Sequence, residues 1–200
     1  MDTNYFTGNV VIKVGLVGLL VFLFGLFSTV WVTRLFNKMI KLKAINEEGW
    51  GGVLAALKRR RDIIPNIVKA AEVYMPGDSE TLLNITRACG EEQAAKSVEE
   101  TAKAAADTTE ALYAFKAAIE NYPDIKADKH VMEIQEELSG LEERIELTRR
   151  YYNATVRDDN MEMDQFPANL IVRLMGFKRA AFFEASETPE QHHKKTERSA

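Results

Sequence analysis

The chain has 200 residues, of which roughly 160 lie outside one long apolar run and suit a single domain large enough to fold without a disulfide or metal staple. It is rich in Ala, Glu, Lys, Leu and Arg and holds only 11 Gly and 5 Pro, the composition of long helices. A net charge of −4 excludes a global positive field for nucleic acid, and a lone cysteine, Cys89, excludes both a disulfide framework and a Cys-rich zinc site.

The first element is the uncharged run from Val14 to Val32. Extended back to Val10 it reaches about 23 residues, enough to cross a hydrocarbon core of roughly 30 Å. Lys13 and Trp31 stand at its two ends, where a snorkelling amine and an interfacial ring belong. A cleaved signal peptide is the competing reading. The run is too long for that, and it leads into bulky Trp31, Arg34, Leu35 and Phe36 rather than small residues. Gly18 and Gly25 share one helix face, but no GxxxG pattern accompanies them. Beyond the run come Arg34, Lys38, Lys41 and Lys43 before the first acid, Glu47, against Lys13 on the other side. Positive flanks favour the cytoplasm, so residues 1–13 are expected outside and the rest inside.

From Arg34 to about Tyr74 the apolar positions Leu35, Met39, Leu42, Val53, Leu57 and Ile64 recur at helical spacing, and no turn signal separates this helix from the span. Gly49, Gly51 and Gly52 flank Trp50 and weaken the helix by up to roughly 1 kcal/mol each relative to Ala. They read equally well as a hinge or as points of close packing. Pro65 is expected to kink the rod. Met75-Pro76-Gly77-Asp78 is a turn, with Asp78 or Ser79 as the next cap. The second rod runs to about Asn121, and Ser97 with Glu100 forms a capping box that breaks it near Lys96. Cys89 falls in its apolar register, as a small buried hydrophobe. After Tyr122-Pro123-Asp124, a third rod runs from about Ala127 to Met163 with Val131, Ile134, Leu138, Leu141, Ile145, Thr148 and Tyr152 at alternating spacings of three and four. Ala168 to Phe183 is short and apolar; it is expected to fold back over the bundle end, the other reading being a docking patch for a partner. The tail 186–200 is polar and expected to be disordered.

The fold class is therefore all-α: a transmembrane helix (10–33) followed by a long antiparallel up-and-down bundle (34–165) of three rods, or four helices if the second breaks near Lys96. An apolar segment (166–185) packs on it. With three rods, the third runs parallel to the first.

Two charged clusters invite chemistry. In Lys58-Arg59-Arg60-Arg61, four consecutive helical residues cover most of the circumference, so at least one faces a neighbour. A lipid-headgroup site is disfavoured, since Lys58 lies about 36 Å beyond Arg34 on a straight helix, well past a Debye length of roughly 8 Å. A hairpin turning near Gly77 brings the run level with Glu91 and Glu92, predicting interhelical ion pairs. Glu136, Glu137, Glu142, Glu143 and Glu146 lie mostly off the apolar stripe, and Glu-x-x-His repeats are absent, so they are expected to form a solvated face rather than a di-metal site. There is no P-loop, Gly-x-Ser-x-Gly or His-Glu-x-x-His. No catalytic residue, cofactor or metal ligand is assigned.

Leu57-Lys58-Arg59-Arg60-Arg61-Asp62-Ile63-Ile64-Pro65-Asn66, Glu120-Asn121-Tyr122-Pro123-Asp124, Arg149-Arg150-Tyr151-Tyr152-Asn153-Ala154-Thr155-Val156-Arg157-Asp158 and Phe166-Pro167-Ala168-Asn169-Leu170-Ile171 stand in one order across roughly residues 30 to 185. In these blocks the chain resembles the LemA family. The resemblance implies a bacterial membrane-anchored helical bundle with its short N-terminus outside, and kinship to a magnetosome-membrane protein. It implies an architecture rather than a reaction. The chain departs from the family pattern in the glycines around Trp50 and in Asp159, where Tyr is common. The family blocks single out Arg59, Asp62, Pro65 and Asn66 on the first rod and Tyr152, Asn153, Arg157 and Asp158 on the third. In the three-rod arrangement Arg59 and Tyr152 lie at one height, as a polar network fixing helix register or as a partner surface. The function expected is a non-enzymatic scaffold with a protein partner at the bacterial inner membrane. A regulatory bundle moving on its glycine hinge and a ligand-binding bundle are the alternatives, and a homo-oligomer is left open.

Overall fold

The structure, a computed structural model, describes residues 3–184. The expected disordered tail and the extreme N-terminus lie outside the described residues. Among these the order is α1 (Thr3–Glu72), α2 (Ser79–Ala94), α3 (Val98–Ile119), α4 (Pro123–Ala127), α5 (Lys129–Asp164) and α6 (Ala168–Met175), with no strand.

Helix α1 carries the apolar run and the first rod as one uninterrupted helix of 70 residues, passing through Pro65. From Gly15 the apolar run is bare: Phe22, Phe24 and Phe27 are 66 %, 72 % and 69 % exposed. In water such a surface is untenable, and the helix is long and apolar enough to cross a membrane. From Met39 onward the stripe turns inward, with Met39, Val53, Leu57, Ile64, Ile67 and Ala71 all buried. Gly51 opens to free space, while a Cβ on Gly49 would only touch Tyr151 and Thr155 at 3.5 Å. Neither position demands glycine for space, and the helix runs straight through all three glycines without a break.

The second rod breaks where its capping box predicts. Ser97 Oγ accepts from the Glu100 amide at 3.1 Å, and Glu100 Oε2 accepts from the amides of Ser97 and Lys96. The break is a reversal: α2 and α3 pack on each other as a hairpin, Thr81 to Glu91 of one and Asp107 to Ala114 of the other lining one groove, and Glu92 and the Ala105 carbonyl meeting at one nitrogen of Arg60. The rods are thus four, and this corrects the direction expected for the third. Helix α5 returns antiparallel to α1, as their pairings show in order: Lys38 with Glu162, Asn46 with Asp159, Arg59 with Glu137 and Tyr74 with Asp128. Its predicted register is buried at Val131, Ile134, Leu138, Leu141, Ile145 and Tyr152. Asp128 caps it through the amides of His130 and Val131; those bonds and the Tyr74 hydroxyl hold the carboxyl below its usual range. Asp78 stands at the N-cap of α2, but its side chain makes no capping bond; its carboxylate accepts from the Tyr122 hydroxyl at 2.7 Å and ties the two turns at the far end together.

The core has two parts. The larger joins all four long helices around Ile64, Met75, Ile85, Phe115, Ile125 and Leu138. The smaller lies nearer the bare end of α1, where Val53, Leu57, Ala102, Ala105 and Tyr152 pack with Trp50 and Phe183. The α2–α3 hairpin is too short to reach further down. Below it α1 and α5 are covered by the non-helical segment 177–184. The expectation for 166–185 therefore divides. Ala168 and Phe183 are buried, but α6 leaves Leu170 and Leu174 60 % and 88 % exposed, so that side of the helix is not covered by the bundle.

Candidate functional site

The run of four basic residues resolves into four fates. Lys58 pairs within its helix to Asp62 at 2.6 Å and Arg59 across to Glu137 at 2.6 Å, both exposed. Arg60 is fully buried. Its guanidinium donates to Glu92, to Glu142 at 2.8 Å, to Thr109 Oγ1 at 2.7 Å and to the Ala105 carbonyl at 3.1 Å. Arg61 donates to the other oxygen of Glu92 at 2.8 Å. The predicted interhelical pairing is present, centred on Glu92. Glu142 is the correction to the solvated acidic face, since it turns inward to this network. Burial works against the charge on Arg60, but Glu92 and Glu142 outweigh it and raise the guanidinium pKa. One arginine thus ties α1, α2, α3 and α5 at one height, a geometry that fixes helix register. Among the described residues no group of His, Cys, Asp or Glu is placed to hold a metal ion.

The two family blocks are not brought together. Arg59 stands opposite Glu137, whereas Tyr152 packs on Trp50 with ring centroids 5.3 Å apart. Nine residues of helix separate Arg59 from Trp50, about 13 Å. The reversal at Ser97 is the reason: it inverts α5 and carries its block towards the bare end of α1. Asp62, Pro65 and Asn66 are exposed, as are Arg157 and Asp158, which face each other at 3.6 Å.

Tyr152 and Asn153 belong instead to a holder for the C-terminal segment. Asn153 Nδ2 donates to the Phe183 carbonyl at 3.2 Å, and its Oδ1 accepts from the Phe183 amide at 2.8 Å. Asn160 treats Ala180 identically, at 3.0 and 3.1 Å. The Tyr152 hydroxyl donates to the Ala181 carbonyl at 2.8 Å, and burial raises its pKa. Seven helical residues span about 10.5 Å, and three extended residues about 10 Å. The two asparagines therefore match the pitch of an extended chain lying against α5. Phe183 then closes on Trp50, centroids 5.9 Å apart.

Beside this segment lies a cavity of about 750 Å³, walled by Phe36, Ile40, Trp50, Met163, Met175 and Phe177. Asn46 and Asp159 also line it, only 6 % and 2 % exposed. Asn46 Nδ2 donates to Asp159 Oδ2 at 2.7 Å, while Oδ1 of each residue finds no partner among the described residues. Burial pushes the Asp159 carboxyl above its usual range, and the Asn46 bond only partly opposes this. Lys43 and Lys178 stand at the rim. Trp50, Asn46, Asp159 and Asn160 were not singled out as site residues from sequence. Of these, Asp159 and the glycine-flanked Trp50 carried a signal, as departures from the family pattern.

Fold and site define a class, a helical bundle built on the continuation of an N-terminal apolar helix, with its own C-terminal segment strapped to the end nearest that helix. The chain belongs to the LemA family, whose profile matches residues 49–197. It is 28 % identical over 167 residues to Protein LemA of Metamycoplasma hominis, covering 82 % of this chain and 74 % of that one. Two magnetosome proteins of Paramagnetospirillum magneticum, MamQ 1 and MamQ 2, are each 34 % identical over 82 residues, 40 % of this chain and 30 % of theirs.

Proposed function

We propose that the chain is a non-enzymatic scaffold anchored in the bacterial cytoplasmic membrane by residues 10–33, with its N-terminus outside and its bundle in the cytoplasm presenting a surface to a protein partner. The carrying observation is the continuity of α1: 70 residues join span and bundle without a loop, so the bundle cannot swivel freely on its anchor. The buried Arg60 network then fixes the other three long helices against that rod. Such a body holds a partner at a set height above the bilayer. Proximity labelling in native cells, with the label fused after Ala200, tests the proposal. Recurrent labelling of cytoplasmic proteins from one process is expected. Labelling of periplasmic proteins alone overturns the orientation, and a set no different from that of an unfused membrane label overturns the scaffold.

A second reading is a ligand-binding bundle, favoured by the cavity and its two buried oxygens that find no partner among the described residues. Apolar walls with acceptor oxygens in the lining suit a molecule with an apolar body and a hydroxyl or ammonium group. With Trp31→Phe leaving Trp50 as the sole tryptophan, octylamine is expected to change its emission saturably and octanoate is not. An unsaturable change, equal for both, removes this reading.

A further inference from the structure

We propose that α6 is a second membrane element: a short interfacial helix lying on the same bilayer face from which α1 emerges. Its exposed side chains motivate this. Leu170 and Leu174 stand one turn apart on α6, 60 % and 88 % exposed, with Phe166 just before the helix 81 % exposed and Met175 49 % exposed. Lone exposed apolar residues need no explanation, but four large ones on a short excursion of chain do.

The place of the excursion in the fold selects its cover. It begins where α5 ends, with Glu162 held by Lys38 at 2.5 Å and Asp164 by Arg179. It ends at Phe177, which packs edge-on against Phe36 at 6.1 Å. Both ends are thus pinned at the height of Phe36 to Lys38. Phe36 is two residues beyond Arg34, the first charge after the span, about 3 Å along the helix. That is the depth of lipid headgroups, where an amphipathic helix buries its apolar face roughly 5–10 Å. The charges agree: Arg173 in the last turn of α6 and Lys178 after it join Arg34, Lys38 and Lys41 at this height. A basic collar of this kind suits anionic headgroups. Gly176 makes the geometry possible. Its left-handed φ of 72° stops α6 and turns the chain up into the asparagine holder.

The inference rests on the anchor reading above, and the test separates the two. Single spin labels are placed at Leu20→Cys, Leu174→Cys and Glu143→Cys in a Cys89→Ser background, in the full chain reconstituted into vesicles of phosphatidylcholine and phosphatidylglycerol. Collision with oxygen and with a water-soluble nickel chelate is then compared. Position 20 is expected to favour oxygen strongly and position 143 the chelate. Position 174 is expected to show an oxygen-to-chelate ratio several-fold above that at 143. If 20 favours oxygen and 174 matches 143, α6 is in water and the inference fails while the anchor stands. If 174 is shielded from both reagents, protein covers it, a second copy or another chain, and the inference also fails. If 20 itself favours the chelate, the anchor reading falls first.

Discussion

Arg59 and Arg60 are neighbours in sequence with the same chemistry, and the structure assigns them very different weights. Arg59 and Glu137 are 67 % and 42 % exposed. An exposed pair of this kind contributes about 0–1 kcal/mol, so Arg59→Met is expected to be nearly silent. Arg60 and Glu92 are wholly buried. Arg60→Met leaves Glu92 in the interior with only Arg61 as a charged partner, and strips Glu142 and the Ala105 carbonyl of a donor. Removing one member of a buried pair costs about 3–5 kcal/mol. Glu142 is 23 % exposed and can turn to water, which places this case near the lower bound, about 3 kcal/mol. For a chain of this size that is a fall in Tm of roughly 6–12 °C. Arg60→Met with Glu92→Met removes both charges and recovers most of the loss, because well-packed apolar replacements of a buried pair are often neutral. The assay is thermal unfolding of the full chain in mild micelles, followed at 222 nm, as a double-mutant cycle. The reasoning is refuted if Arg60→Met and Arg59→Met unfold within 1 °C of each other, or if the double variant is no better than the single.

Asp159→Asn keeps a partner for Asn46 and removes a buried carboxyl. The sign follows from its raised pKa: folded Asp159 holds its proton more tightly than unfolded Asp159, so its contribution is fully present below the unfolded pKa and is lost as pH rises through the folded one. The variant is therefore expected to be more stable than the parent at pH 7, with the gap narrowing as pH falls through the carboxylate range. A gap independent of pH sinks this. Asn153→Ala with Asn160→Ala removes four bonds to the C-terminal segment, each about 0.5–1.5 kcal/mol net; hydrogen exchange should accelerate sharply at Ala180 and Phe183 while the Arg60 level stays protected. The half-buried Cys89 thiol is pushed up to about 11, chiefly by burial and then by Glu92. At pH 7 it is expected to alkylate about 100-fold more slowly than an unperturbed thiol with a pKa near 9, and parity with a free thiol counts against its placement. Gly51→Ala adds a methyl in open space inside a helix and should stabilise by about 0.5–1 kcal/mol; a loss of stability would show that the backbone there needs glycine.

Much of the architecture could be read from one chain because it rests on local rules. The uncharged run, the absence of a stop after Val32, the turn at Met75–Asp78 and the capping box at Ser97 each act over a few residues, and each appears where the pattern places it. The α5 register is legible for the same reason, since periodicity says which face is buried. Periodicity does not say which way a neighbouring helix runs. That depended on whether the chain reversed at Ser97, and the reversal is decided by α2 and α3 burying their faces against each other. The direction of α5 followed, and with it the separation of Arg59 from Tyr152. The meeting of Asn46 with Asp159, 113 residues apart, has no local signature. Nor has the grip of Asn153 and Asn160 on the C-terminal segment, because side chain to backbone bonds impose no period on the segment they hold. The sequence alone determined that the long rods are helical, where the turn at Met75–Asp78 and the break at Ser97 fall, and which faces are apolar, because these are contests between neighbouring residues. Only the tertiary structure decided which charges are buried, which helices run antiparallel and where the C-terminal segment lies, because these depend on distant surfaces competing for the same neighbour.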